Sequence, residues 1–297
     1  MQVKTNVETL PALCSTAVLL MSSMHKEISE YQQLGATVIR QCVDTDALVK
    51  LSSAVEADIN SPGPFYHGYR SEAGRGSFHG NLRLWEHDDT FREFCLVSQL
   101  PQLAAGFLNS QRVNLLYDQL FVKEPGTPNR TRWHNDQPYW PIRGGQVLSF
   151  WIALDPVTRE SGALEFIAGS HKWGRWFQPQ AFGDTAGQSK YAANPDYEAI
   201  PDIQNHRGDY EIVSWDLERG DAYVFHGLTV HGSGGNHHQS HRRRGYAVRY
   251  TGDDVVYDSR VGTNASLCSE GHRDGMVLNS SRYPVVWYQV RDRFTEK

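Results

Sequence analysis

The 297-residue chain has few cysteines, no long apolar run and no excess of positive charge. Its four cysteines lie far apart without a C-x-x-C pair, which argues against a disulfide framework and a zinc ribbon and favours a reducing, cytoplasmic setting. Apolar runs stop far short of a bilayer span, so a membrane protein is excluded. The chain has 29 Lys and Arg against 34 Asp and Glu, a net charge of -5. This balance does not indicate a basic surface that would bind nucleic acid.

The first part of the chain is predicted to be helical after a short lead. Residues 1–24 are expected to be disordered or loosely packed, and residues 25–110 to form a helical part. Within it, the helical pattern of residues 91–108 is expected to be interrupted at Pro101. The other helix signals are Ile28, Tyr31 and Leu34 at helical spacing before a capping Gly35, and Asp44 or Thr45 as the start of a second helix.

The second part is predicted to be rich in β-strands. Beyond Arg112, short runs of Val, Phe, Tyr and Trp alternate with Gly, Pro, Asn and Asp, as is typical of a β-sandwich or barrel. We expect one domain over residues 25–297, with a β core at about 112–256 and a lid-like loop at about 178–207. The predicted strands are 36–40, 114–123, 147–154, 163–167, 210–214, 221–226 and 245–250.

The pattern H-x-D, which can supply two metal ligands, occurs three times, so the pattern alone does not identify a site. His87 and Asp89 stand at the start of a helical stretch, where an aspartate is explained as an N-cap. His272 and Asp274 stand in a polar, glycine-flanked stretch that favours a turn.

His134 and Asp136 form the third H-x-D pair. They lie two residues apart, so both side chains face one side of a strand. A third ligand must come from elsewhere, and His231 stands in a glycine-rich exit from a later strand. Two histidines and one carboxylate on one face of an iron ion leave positions open for a cosubstrate and oxygen, as in non-haem Fe(II) oxygenases.

Several motifs in combination resemble the phytanoyl-CoA dioxygenase (PhyH) family. The resemblance runs from about residue 27 to 287 and rests on the segments 133–140, 151–155, 161–164, 168–171, 220–236 and 243–246. It implies a mainly β fold with flanking helices and a double-stranded β-helix (jelly-roll, cupin-like) core. It also implies Fe(II), 2-oxoglutarate and O2 as cofactor and cosubstrates, with His134, Asp136 and His231 as the iron ligands and catalytic residues. Ala168 departs from the family's usual proline, at a turn.

The family also has a basic residue that holds the far carboxylate of 2-oxoglutarate, a role suited to the planar fork of arginine. Arg243, twelve residues beyond His231, best matches the family's strand. Arg242 and Arg244 compete for the role but are expected on the opposite face of that strand. Arg249 is interpreted as structural or as lying near the mouth of the site.

Further contacts are predicted around these groups. Gln119 shares an inward strand face and is the best polar contact for the cosubstrate there, and Trp151 either packs on the cosubstrate or belongs to the core. Thr131 and Ser233 complete the predicted cofactor-binding set. The predicted substrate-binding residues are Tyr139, Trp140, Trp85 and His79.

The expected reaction is hydroxylation of an unactivated C–H bond in a small organic substrate, with release of succinate and CO2. In related halogenases the carboxylate ligand is missing, so the presence of Asp136 favours hydroxylation. Desaturation, epoxidation and ring closure use the same oxidant and stay open. The alternative is a cupin-like metal-dependent isomerase or hydrolase that does not use 2-oxoglutarate. Neither a nucleic acid nor a membrane is expected as a partner, and the sequence gives no oligomeric state.

Overall fold

Two antiparallel β-sheets pack against each other in the computed structural model, which describes residues 24–70, 76–179 and 191–289. The larger has eight strands in the order β1-β10-β7-β12-β4-β3-β2, with β14 also paired to β4. Its strands are β1 (Ala36–Ile39), β2 (His67–Arg70), β3 (Ser77–Leu82), β4 (Arg112–Lys123), β7 (Val147–Ala153), β10 (Ala222–His226), β12 (Arg243–Thr251) and β14 (Val285–Tyr288).

The smaller sheet has four strands in the order β5-β11-β8-β9. They are β5 (Thr131–His134), β8 (Leu164–Ile167), β9 (Ile212–Val213) and β11 (His231–Ser233). A separate two-stranded ladder joins β6 (Ile142–Arg143) to β13 (Val256–Tyr257).

Among the described residues, four α-helices cover the outer face of the larger sheet, where their buried residues share one core cluster with residues of β4, β7 and β12. The helices are α1 (His25–Leu34), α2 (Thr45–Asn60), α3 (Asp89–Val97) and α4 (Leu100–Leu108). A second cluster fills the space between the sheets, with Trp151 and Tyr223 from the larger and Phe166 from the smaller. Two packed sheets with helices on one side confirm the predicted jelly-roll fold class.

The ends of the helices follow local signals in the sequence. Gly35 ends α1 with a left-handed φ of 83°, and its N–H donates to the carbonyl of Tyr31. The Asp44 side chain caps α2 by accepting from the N–H of Ala47 at 2.9 Å. The predicted break at Pro101 is wrong, because the chain leaves the helix before α4 begins at Leu100. Proline is tolerated there because N–H groups in the first turn have no intrahelical acceptor.

All seven predicted strands correspond to strands of the structure, with ends shifted by up to about two residues, as is usual for assigned boundaries. The remaining strands were not predicted as such, and most of them are short. β2 and β3 are an exception to the helical character expected before residue 110, since they extend the larger sheet beyond β4.

Three expectations are not settled by this architecture. The disordered lead, apart from Met24, lies outside the described residues, as do residues 180–190 of the lid-like loop. The single-domain assignment stays a prediction. Among the described helices, none combines the length and apolar character needed to cross a bilayer.

Candidate metal centre and cofactor pocket

His134, Asp136 and His231 converge at the mouth of the space between the sheets. β5 and β11 pair with His134 directly opposite His231, which brings the two imidazole rings to 4.3 Å between centroids. The Nε2 atoms of His134 and His231 lie 3.3 and 3.9 Å from Oδ1 of Asp136. One candidate ligand atom from each residue lies within 4.8 Å of the others, and within the described ranges this is the one group of three or more such side chains.

A contact on the far side of each histidine ring fixes the orientation of that ring. The Nδ1 atoms of His134 and His231 lie 2.7 and 3.0 Å from the carbonyl oxygens of Arg132 and Thr229, respectively. If each Nδ1 carries the proton and donates it there, both Nε2 lone pairs face the cluster. Histidine ligands of metals commonly show this arrangement.

Electrostatics also suit a cation at this position. Burial lowers the pKa of His231 to about 4, so its imidazole is neutral at pH 7 and can bind a metal. Burial alone would raise the pKa of Asp136, but the hydrogen bond with His134 and the charge of Arg249 hold that pKa well below its usual range. The cluster therefore offers two imidazoles and one carboxylate, the donor set of the Fe(II) site described above.

The other two H-x-D pairs have local structural roles. The Asp88 carboxylate accepts from the N–H groups of Thr90 and Phe91 and caps α3, as expected for this segment. The Asp274 carboxylate accepts from the N–H of Ser259, which closes a loop. Neither segment belongs to the three-ligand group.

A buried arginine lies on the inner face of the larger sheet, and its two neighbours in sequence lie outside. Arg243 is 2% exposed, and among the described residues its Nε has no hydrogen-bond partner. Arg244 instead pairs with Asp155 at 2.6 Å, and Arg242 pairs with Glu56 at 2.9 Å. The structure thus distinguishes the three arginines in the way that strand alternation predicts.

Arg243 has a cationic neighbour and an aromatic one. The guanidinium carbon lies 5.2 Å from the ring centroid of Trp151. Lys123, in register with Arg243 across β4 and β12, is also 2% exposed, and its Nζ donates to Ser233 Oγ at 2.9 Å and to the Gly234 carbonyl at 2.6 Å. Burial lowers the pKa of Arg243 to about 10, which still leaves the guanidinium charged at neutral pH.

These groups fit a 2-oxo dicarboxylic acid that bridges the two ends of the site. Ser233 follows His231 by two residues in β11, a separation of about 6.6 Å along a strand. The acid's keto end can therefore lie at the metal ligands while its distal carboxylate lies at Arg243 and Lys123. A buried cation whose N–H groups have no acceptor destabilises the folded state unless an anion binds to it.

The other predicted cofactor contacts lie near this path. Gln119 is buried in β4 on the same inner face and pairs in register with Ala247. Thr131 pairs with Ser233 across β5 and β11. Trp151 pairs with Ala247 across β7 and β12, and Ala247 lies four residues along β12 from Arg243. Their roles stay predictions.

The structure places the four predicted substrate contacts in different parts of the molecule. The Tyr139 hydroxyl donates to Asp136 Oδ1, so Tyr139 lies beside the metal ligands. The Trp140 indole donates to the Tyr117 hydroxyl at 2.8 Å and lies in a buried core cluster. His79 instead lies 2.8 Å from Asp58 of α2. Trp85 packs into the helix-side core. The structure does not bring these last two to the cluster.

Sequence reasoning missed Lys123 of the inner face, although it lies at an even spacing from Gln119 in a predicted strand. Arg249 is expected from the sequence to be structural or to lie near the mouth of the site, and its Nη2 lies 3.9 Å from Asp136 Oδ2. Its even spacing from Arg243 was the signal that could have placed both on one strand face.

The fold and the cluster define a jelly-roll protein with a candidate metal centre. The Phytanoyl-CoA dioxygenase (PhyH) profile matches residues 31–245, and the chain belongs to this family. This confirms the family predicted from the sequence and agrees with the predicted iron, 2-oxoglutarate and O2.

Individual relatives are distant. The chain is 26% identical over 204 residues to the peroxisomal phytanoyl-CoA dioxygenase of Rattus norvegicus, covering 67% of this chain and 56% of that protein. The chain spans about half the length of the mammalian relatives it matches.

Solved structures share the fold. The epimerase SnoN of nogalamycin biosynthesis, described as non-haem and α-ketoglutarate dependent, superposes with a TM-score of 0.71 at 20% identity, covering 91% of this chain and 99% of SnoN. The carbocyclase SnoK of the same biosynthesis gives 0.70 at 19% identity, covering 89% and 96%.

Proposed function

We propose that this protein is an Fe(II)- and 2-oxoglutarate-dependent dioxygenase that hydroxylates an unactivated C–H bond of a small organic substrate, releasing succinate and CO2. The observation that carries the proposal is the joint placement of two sites on facing sheets. His231 of the His-Asp-His group lies two residues, about 6.6 Å of extended strand, from Ser233, which accepts a hydrogen bond from the buried Lys123 next to Arg243.

The chain's own residues have separate tasks in this proposal. His134, Asp136 and His231 would hold the iron, with the Tyr139 hydroxyl orienting the carboxylate. Arg243 and Lys123 would bind the distal carboxylate of 2-oxoglutarate. When bound together with O2, these cofactors supply an oxidant that can remove hydrogen from carbon.

Burial of the site would protect that chemistry from water. Asp136 and Arg243 are each 2% exposed, and Trp151 covers the anion end. Exclusion of water strengthens the ion pairs and limits side reactions. A metal-dependent isomerase or hydrolase that does not use 2-oxoglutarate would need the three metal ligands, but it would not explain the buried Arg243.

Hydroxylation is the outcome we favour among those open to the same oxidant, because the carboxylate ligand Asp136 is present. SnoN and SnoK, which share the fold, are described as an epimerase and a carbocyclase. Epimerisation and ring closure are therefore the alternatives that product analysis must distinguish. A cytoplasmic location stays a prediction, since the matched mammalian relatives are peroxisomal.

Turnover of 2-oxoglutarate tests the proposal without knowledge of the substrate. The protein supplied with Fe(II), O2 and 2-oxoglutarate should form succinate slowly, and His134→Ala should abolish both iron binding and succinate formation. His87→Ala and His272→Ala are matched controls from the other H-x-D pairs and should retain both. Equal loss in all three variants, or succinate formation independent of iron, would contradict the proposal.

A further inference from the structure

A second buried arginine lies on the inner face of the larger sheet, next to the metal ligands. Arg249 in β12 is 2% exposed, and its guanidinium carbon lies 4.4 Å from the ring centroid of Tyr117. Its Nη2 lies 3.9 Å from Asp136 Oδ2, too far for a hydrogen bond. In the described part of the chain, its Nε and Nη1 have no hydrogen-bond partner.

Two more polar atoms in this neighbourhood are unsatisfied. Ser149 pairs in register with Arg249 across β7 and β12, and its buried hydroxyl has no partner among the described residues. The same holds for Oδ2 of Asp136, the oxygen that faces away from the two histidines. A buried polar group without a partner destabilises the fold. Such a group of atoms at a metal centre indicates a place for a polar ligand.

A count of the formal charges at the site indicates the sign of that ligand's charge. In the proposed complex, the two charges of Fe(II) and the one of Arg243 balance Asp136 and the two carboxylates of 2-oxoglutarate. Lys123 carries no negative charge in either protonation state, so it does not offset Arg249. The charge of Arg249 is then uncompensated.

The tyrosines beside Arg249 do not supply the missing negative charge. Arg249 lies over the ring of Tyr117, and the Tyr139 hydroxyl keeps its proton to donate it to Asp136 Oδ1. An uncompensated buried guanidinium is unfavourable unless a ligand neutralises it.

Arg243 and Arg249 lie at opposite ends of one strand face. Six residues separate them, about 20 Å between Cα positions in an extended strand. Arg243 lies toward Ser233, and Arg249 lies toward Asp136. The two cations are therefore positioned for different ligands, one on each side of the metal centre.

We propose that Arg249 is a substrate-specificity residue that binds a carboxylate of the substrate beside the metal centre. This rests on the proposed function, because the charge count assumes Fe(II) and 2-oxoglutarate. A carboxylate held there would place the neighbouring carbon atoms of the substrate close to the iron ligands. The expected substrate class is a small organic acid.

Binding of matched acids and amides tests the proposal. The anaerobic protein, loaded with Fe(II) and saturating 2-oxoglutarate, is titrated with hexanoate, decanoate, benzoate and phenylacetate and with the primary amide of each. Binding is followed by the change in the visible charge-transfer band of the iron chelate and by the shift in melting temperature. We expect at least one acid to bind about 10- to 100-fold more tightly than its amide, the range of a charge-assisted hydrogen bond.

Variants assign that preference to Arg249. Arg249→Gln should remove the preference for acid over amide while keeping the charge-transfer band, which shows that the variant is folded and loaded. Arg249→Lys should restore part of it. Arg244→Gln, on the outer face of the same strand, is the matched control and should behave as the unaltered protein.

The outcomes separate the two proposals. Absence of the band in the unaltered protein would refute the proposed function. A normal band with no acid bound more tightly than its amide would overturn the role of Arg249 alone. Loss of iron or 2-oxoglutarate affinity in Arg249→Gln, with the acid preference retained, would also overturn it and assign Arg249 to positioning the cofactors.

Discussion

Gly245 lies in β12 against the indole of Trp151, where a side chain has no room. A Cβ atom at this position would lie 1.8 Å from Cζ2 and 2.2 Å from Cε2 of that ring. Carbon atoms in contact are normally about 3.5–4.0 Å apart, so the ring or the strand must shift by roughly 2 Å. Trp151 is buried and packs on Arg243, so the shift is transmitted to the anion pocket.

We expect Gly245→Ala to lower the free energy of unfolding by about 1–3 kcal/mol, the usual cost of overpacking a core. It should also weaken 2-oxoglutarate binding by about 10-fold, equivalent to about 1.4 kcal/mol. Iron affinity should be retained, because none of the three ligands is on β12. Denaturant unfolding gives the first quantity, and anaerobic titrations with Fe(II) and 2-oxoglutarate give the other two.

Gly208→Ala is the matched control, since a Cβ at Gly208 meets no atom within 4 Å. This variant should bind and unfold as the unaltered protein does. The reasoning is refuted if Gly245→Ala matches Gly208→Ala in both stability and 2-oxoglutarate affinity.

Two further predictions concern buried charges. Arg243→Gln should weaken 2-oxoglutarate binding by about 100-fold with iron binding unchanged, as expected for loss of a charge-assisted pair; an unchanged affinity in anaerobic titration would exclude Arg243 as the anchor. Burial raises the pKa of Asp118 to about 7, so the folded protein retains a proton that the unfolded chain releases above about pH 4. Its contribution to stability should therefore fall, by up to about 4 kcal/mol, as pH rises from 4 to 7. Urea unfolding should show this trend as a difference between the metal-free protein and Asp118→Asn, and parallel pH profiles would contradict it.

Alternation along strands predicted a large part of the inner face of the site. A period of two separates Arg243 from Arg242 and Arg244, and the structure buries the first and pairs the other two with surface carboxylates. The same period places Gln119 and Trp151 on that face. Local patterns are informative here because a strand fixes the side of every residue once one is known.

Contacts between distant segments were beyond the reach of such patterns. The 3.9 Å approach of Arg249 to Asp136 depends on how the two sheets pack, which no spacing within β12 reveals. His79, predicted as a substrate contact, lies 2.8 Å from Asp58 of α2, which is another contact between distant segments that spacing does not reveal. The choice among three H-x-D pairs followed from local context, which explains one pair as an N-cap and another as a turn, and from His231 as a third ligand in a distant segment.

The most direct test of the account is an anaerobic titration of the metal-free protein with Fe(II) and then with 2-oxoglutarate. The account predicts that iron binds and that the weak visible charge-transfer band of a bidentate 2-oxoglutarate chelate then develops. Iron binding without that band would contradict the central claim and would favour a cupin-like metal enzyme that does not use 2-oxoglutarate.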